Sequence, residues 1–145
     1  MPVMTAATTS GYTVSSSTIY SGGVEGWRLF DDSTSTSFLG VGTSGWIKVA
    51  FPSATLVAGY SLLAWAAELT RAPRAWTLEG SNTGAFSGEQ AIMDTRTGQT
   101  GWNTSVRSFT CASPGTYSYV RLNITENDGD PSYLRMAEMQ IFPPA

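Results

Sequence analysis

The sequence predicts an all-β fold, a sandwich or jelly roll of two antiparallel sheets, on three observations. Short apolar stretches are separated by Gly, Pro, Ser, Asn and Asp. The stretches recur about every 10–15 residues, the spacing of strands in such folds. No long 3.6-residue period intervenes that would bury one face of a helix.

The strands follow in order. GWIKVAF (45–51) alternates, with Ile47, Val49 and Phe51 on one face and Trp46, Lys48 and Ala50 on the other. VAGYSLLAWA (57–66) is apolar on both faces and predicts a central strand. AWTLEGS (75–81) sends Trp76 and Leu78 inward, and SNTG (81–84) has the composition of a tight turn. Weaker strands are expected at QAIMDTR (90–96) and VRSFTCA (106–112). YSYVRLNI (117–124) aligns Val120, Leu122 and Ile124, and MAEMQIF (136–142) aligns Ala137, Met139 and Ile141. Leu62, Trp76, Leu78, Phe109, Leu122, Met139 and Ile141 are the expected core. Residues 1–10 read as a loose N-terminal arm, and residues 11–145 as the domain.

Composition narrows the function. Apolar residues make up 41% of 145, enough for a packed core and too many for a disordered chain. Net charge is −3, with one Lys (Lys48) against seven Arg and no basic run. Nucleic acid and anionic membrane are therefore excluded as expected partners. No apolar run is long enough to cross a bilayer, and the first residues lack the basic start and apolar centre of a signal peptide. Histidine is absent, which removes His-based acid–base chemistry, Ser-His-Asp triads and His-ligated zinc. Cys111 is alone, so no internal disulfide forms, and its alternation with Phe109 suits a buried strand thiol.

One turn collects hard oxygen donors. RLFDDSTSTSF (28–38) sets two aspartates before five hydroxyl residues. Two readings fit: a turn closed by its own side-chain hydrogen bonds, or a calcium site, since calcium takes about six to eight oxygens from carboxylates, hydroxyls and carbonyls.

Six segments in order, GWRLFDDSTST (26–36), GWIKVAF, VAGYSL, RAPRAWTLEGSNTG, YSYVRLNITENDG and LRMAEMQIF, together resemble the discoidin domain, or coagulation-factor type C domain. The likeness covers about residues 10–142 and is closest to bacterial and bacteriophage members. It implies a galactose-binding-like jelly-roll β-sandwich, a fold shared with many carbohydrate-binding modules. It also implies a structural Ca2+, with Asp31, Ser33, Thr36 and Glu138 as ligands and Ala137–Glu138 as the closing pair. Asp32 stands where the family carries Gly, and Ser33 where it often carries Asp or Asn. By position, the sugar site would lie on loops 39–45, 65–74 and 125–133. Its candidates are Trp65, Glu68, Arg71, Arg74, Asn127, Asp128, Asp130 and Tyr133. An aromatic covers the C–H face of a sugar, while Arg, carboxylates and amides take its hydroxyls.

Each candidate has a structural alternative. Arg74 can stack on Trp76 or pair with Glu79; Asn127 to Asp130 can be a Gly-centred turn; Trp65 can be core. Trp27, Trp46 and Trp76 read as packing, while Trp102, in the polar stretch TGQTGWNTS, reads as exposed. Carboxylates are the only candidate catalytic groups, and a shallow face excludes little water, so no enzyme is expected. The expected role is a non-catalytic carbohydrate-binding or adhesion module of a virion or extracellular surface assembly. Its partners would be host surface glycans and sister subunits, including copies of itself. The alternatives are a phage decoration or fibre protein without a sugar ligand, and last a protein- or phospholipid-binding discoidin domain.

Overall fold

The computed structural model describes residues 1–142. Eight strands form: β1 (Thr8–Thr9), β2 (Tyr12–Ser16), β3 (Phe38–Val41), β4 (Gly45–Ala64), β5 (Pro73–Ser81), β6 (Ala91–Arg96), β7 (Arg107–Asn127) and β8 (Tyr133–Phe142). Two 3₁₀ turns, Gly26–Phe30 and Leu69–Arg71, are the helical elements among the described residues. All strand pairs are antiparallel.

The expected strand pairs 45–51 with 57–66, and 106–112 with 117–124, are each one continuous bent element, β4 and β7. Their early and late halves serve different layers. Gly45–Ala50 of β4 pairs with Tyr119–Ile124 of β7, in the layer ordered β1-β2-β4-β7-β5-β6. Past register shifts at Ala50/Thr55 and Val57/Gly59, Gly59–Leu62 pairs with Arg107–Thr110. That same stretch of β4 pairs with β8 on its other edge, and β8 carries β3. VAGYSLLAWA is central as expected, because partners flank it on both edges. Pro52 has no N–H to give a ladder and sits at the bend.

Side chains from both layers meet in one core. Ile47, Val49, Leu78, Val120, Leu122 and Ile124 come from the first layer, and Leu62, Leu134, Met136, Met139 and Ile141 from the second. Six of the seven expected core residues are buried. Phe109 is the exception: it is half-buried and packs on the core as a lid, stacked on Tyr60 at 5.2 Å and edge-on to Trp76 at 5.2 Å. Beneath it the Tyr60 hydroxyl donates to Asp94 Oδ2 (2.7 Å) and accepts from Trp76 Nε1 (2.7 Å). Arg96 Nε donates to the same carboxylate (2.8 Å). Cys111 is buried as expected, and burial, aided by Asp94, pushes its thiol up to about 11.

Two expectations are corrected. Residues 1–10 are not a loose arm: Met4 is buried in the core, its N–H donates to Phe30 O, and Thr8–Thr9 pairs with β2. Trp102 is not exposed. It is 5% accessible, its Nε1 donates to Pro73 O at 2.9 Å, and the Arg107 guanidinium lies 4.2 Å from its ring centroid. Trp76 is core, and Trp27 and Trp46 are half-buried, as packing residues should be.

Candidate functional sites: an acidic turn and a loop end

The acidic turn follows the 3₁₀ segment Gly26–Phe30, which buries Leu29 and Phe30 and so presents Asp31 at the surface edge of the core. Asp32 is left-handed at φ 57, the geometry the family glycine supplies freely and Asp adopts at modest cost. This turn aims the Ser33 N–H at two carboxylates, Asp31 Oδ1 (3.1 Å) and Glu138 Oε1 (2.9 Å). Thr36 Oγ1 donates to Asp31 Oδ2 (2.6 Å) and lies 3.2 Å from Ser33 O. All four residues expected there, Asp31, Ser33, Thr36 and Glu138, are thus brought together, and strand β8 supplies the last.

The electrostatics of the turn are unbalanced. Burial, then a hydrogen bond and charge from Asp31, and charge from Asp32, push the Glu138 carboxyl up to about 8. No basic side chain pairs with it among the described residues. Two carboxyls this close cannot both ionise cheaply without a cation between them. No group of three His, Cys, Asp or Glu converges on a metal position among the described residues. A cation here would therefore rely on hydroxyl and carbonyl oxygens beside Asp31 and Glu138, a donor set suited to calcium. Cavities of about 430 and 190 Å³ flank the turn, sharing Asp32, Glu138 and Gln140, and no residue of the expected sugar loops lines them.

At the loop end, three backbone bonds draw the loops together: Gly42 N–H to Ser132 O, Asp128 N–H to Ala72 O, and Asp130 N–H to Thr70 O. Register does the rest, since Val41 pairs with Tyr133. Glu68 accepts from Arg71 Nη1 and Arg135 Nη1, both at 2.7 Å. Arg71 Nε also donates to Asp130 Oδ2 (3.0 Å), and its guanidinium sits 4.7 Å from the Tyr133 ring centroid. Arg135 lies 4.5 Å from the Trp65 centroid. Trp65, Glu68, Arg71 and Tyr133 therefore belong to one connected network.

The other candidates are placed differently. Asn127 is buried: its Nδ2 donates to Asp130 O (2.7 Å) and Tyr133 O (2.8 Å), and its Oδ1 accepts from Gly129 N–H. It clasps the turn that presents Tyr133. Asn127→Ala should cost about 1–3 kcal/mol, because it removes three hydrogen bonds of this buried side chain, and thermal denaturation reads that loss. Asp128 is half-buried beside this clasp. Arg74 pairs with Glu126 at 3.7 Å across exposed surface and joins neither Trp76 nor Glu79, whose partner is Arg121.

Two network residues, Arg135 and Tyr20, escaped the sequence reading, while Asp130 was among its candidates. Asp130 accepts from Ser132 and Tyr133 N–H as well as Arg71, and those bonds, with the Arg71 charge, outweigh burial and hold its carboxyl below the ordinary value. Arg135 is an outward residue of a core strand, and its alternation with buried Leu134 and Met136 was the available signal. Tyr20 lies in an irregular segment and carries no local pattern; its ring meets Tyr133 edge-on at 5.6 Å.

Among solved structures, the chain is similar to chitosan-binding module 1 of a Paenibacillus sp. IK-5 chitosanase/glucanase. Identity is 25%, the match covers 89% of this chain and 92% of that one, and the TM-score is 0.70. It is also similar to the family 32 carbohydrate-binding module of Clostridium perfringens NanJ, solved with galactose (14% identity, 91% and 93% covered, TM-score 0.73). An F5/8 type C domain from Bacteroides fragilis matches at 14% identity over 92% of both chains, with TM-score 0.75. The fold is the discoidin-like jelly roll of these modules. No family model and no curated protein matches the chain. In this discoidin-like jelly roll the loop end and the acidic turn are separate sites. No helix among the described residues is long and apolar enough to cross a membrane.

Proposed function

We propose that this chain is a non-catalytic carbohydrate-binding module that attaches its owner to surface glycans. The observation that carries this reading is the connected loop-end network, in which Glu68, Arg71, Asp130 and Arg135 present paired donors and acceptors beside Trp65, Tyr133 and Tyr20. Planar guanidinium and carboxylate groups suit vicinal hydroxyls, and aromatic rings suit the C–H face of a sugar. The similarity to modules that bind chitosan, chitotriose and galactose supports the same class of ligand. Catalysis has little support, since Glu68 is neutralised by two arginines rather than facing a second carboxylate across a cleft.

A calcium ion held by Asp31, Ser33, Thr36 and Glu138 fits this reading as a structural element, because it would neutralise the carboxyl pair and tie β8 to the turn. Single shallow sites bind weakly, in the high micromolar to millimolar range, about −4 to −6 kcal/mol. Attachment then needs many copies, which gain avidity without new contacts. That requirement supports a multi-copy extracellular or virion assembly, including homo-oligomers, as the setting.

The test is a glycan array probed with a multivalent display of the domain. Retention on at least one glycan class, lost in Glu68→Ala/Arg135→Ala, is the expected result. A blank array for the folded multivalent protein would transfer the reading to a structural subunit without a sugar ligand.

A further inference from the structure

We infer that Tyr20 is the stacking platform of the loop-end site, and that the site takes an oligosaccharide spanning two or more sugar units rather than a single terminal sugar; this rests on the carbohydrate-binding reading above. The two aromatics the sequence offered for stacking are both engaged. Arg135 lies 4.5 Å from the Trp65 centroid, and Arg71 lies 4.7 Å from that of Tyr133. Both guanidiniums are fixed by Glu68, so neither leaves its ring without breaking a 2.7 Å ion pair. Tyr20 has no such cover. It is 57% exposed, and the only other exposed aromatic among the described residues, Phe142, lines the cavity beside the acidic turn.

The Tyr20 ring is also held in place before any ligand arrives. Its N–H donates to Leu39 O (2.9 Å). Two residues earlier, Thr18 Oγ1 donates to Val41 O (3.1 Å) and accepts from Val41 N–H (3.2 Å). The segment is thus zipped onto β3, and its flanking residues Ile19 (43% exposed) and Val41 (50% exposed) extend the apolar surface around the ring. A platform fixed this way loses little entropy on binding.

Position sets the ligand length. Tyr20 and Arg71 both lie against Tyr133, 5.6 Å and 4.7 Å from its ring centroid, so the exposed ring and the polar cluster sit on neighbouring stretches of one surface. A chain places one unit on the Glu68–Arg71–Asp130 cluster and lays the next across Tyr20.

The experiment titrates glucosamine and its oligomers, and galactose with N-acetylgalactosamine-β-1,3-galactose, into the wild type, Tyr20→Ala and Tyr20→Phe. The wild type should bind the oligomers about fivefold or more tighter than the monosaccharide, the size expected for one stacking contact. Tyr20→Ala should erase that gain, and Tyr20→Phe should keep it. Equal affinity for all lengths in the wild type, or a gain that survives Tyr20→Ala, overturns this inference and leaves the carbohydrate-binding reading standing. A loss of self-association in Tyr20→Ala with no change in sugar affinity also overturns it, by assigning the ring to a protein interface. No binding at any length, together with a blank array, overturns both.

Discussion

Calcium at about 100 times its dissociation constant is expected to stabilise the domain by roughly 2.7 kcal/mol, and chelator to remove that gain. For a chain of this size the difference is a melting-temperature shift of roughly 5–10 °C. The cause is local: Glu138 and Asp31 share the Ser33 N–H, and burial with the neighbouring acids holds the Glu138 carboxyl near 8 against an ordinary 4.5. The raised value fixes the sign of the pH dependence. In chelator, the folded protein binds more protons than the unfolded chain between about 4.5 and 8, so stability falls as pH rises through that window. A bound cation stabilises the ionised pair and flattens the slope. Asp31→Ala should abolish the response to calcium, and Glu138→Gln should abolish the pH slope. A melting curve indifferent to calcium, chelator and Asp31→Ala leaves a turn closed by its own hydroxyls.

The second large effect is expected at Asp94. Its side chain is 3% exposed and receives the Tyr60 hydroxyl and the Arg96 guanidinium. Asp94→Ala should cost about 3 kcal/mol, the low end for breaking a buried charged pair, because Arg96 is 32% exposed and can turn to water. That is a large share of the roughly 5–15 kcal/mol that holds a domain folded. Tyr60→Phe should cost about 1–3 kcal/mol, because it orphans the buried Trp76 N–H and leaves the carboxylate with Arg96 alone. The double variant should cost less than the sum, since both substitutions break the same bond. Denaturant titration of the three variants measures this; strict additivity would mean the groups act independently.

How much was legible in the sequence depended on whether the cause was local. Ile47, Val49, Leu122 and Met139 were readable because alternation within a strand states which face is buried. The acidic turn was readable because its donors are contiguous, and only Glu138 had to come from the resemblance. Trp102 was misread because its partners, Pro73 and Arg107, lie outside its Gly-rich stretch, so nothing nearby signals burial. The bends of β4 and β7 were read as strand ends for a related reason: Pro52 and Pro114-Gly115 look the same whether a chain turns back or crosses to another layer. At the loop end, Trp65, Glu68, Arg71 and Tyr133 were named from loop position and residue type, and the fold joins them in one network. Asn127 and Arg74 came out elsewhere because burial and pairing depend on which loops meet.

The bending of β4 and β7 through both layers also governs how the molecule assembles and comes apart. Gly45 pairs with Ile124 and Phe38 with Met136, so distant parts of the chain must find each other before either layer has a complete hydrogen-bond ladder. Closing such long loops ahead of any contact energy makes folding slow relative to helical domains of this size. Neither layer can open without tearing strands out of the other, so the two should exchange amide hydrogens as one cooperative unit. Protection should be greatest at Ile47–Val49 and Val120–Leu122, where β4 and β7 run through the middle of the molecule.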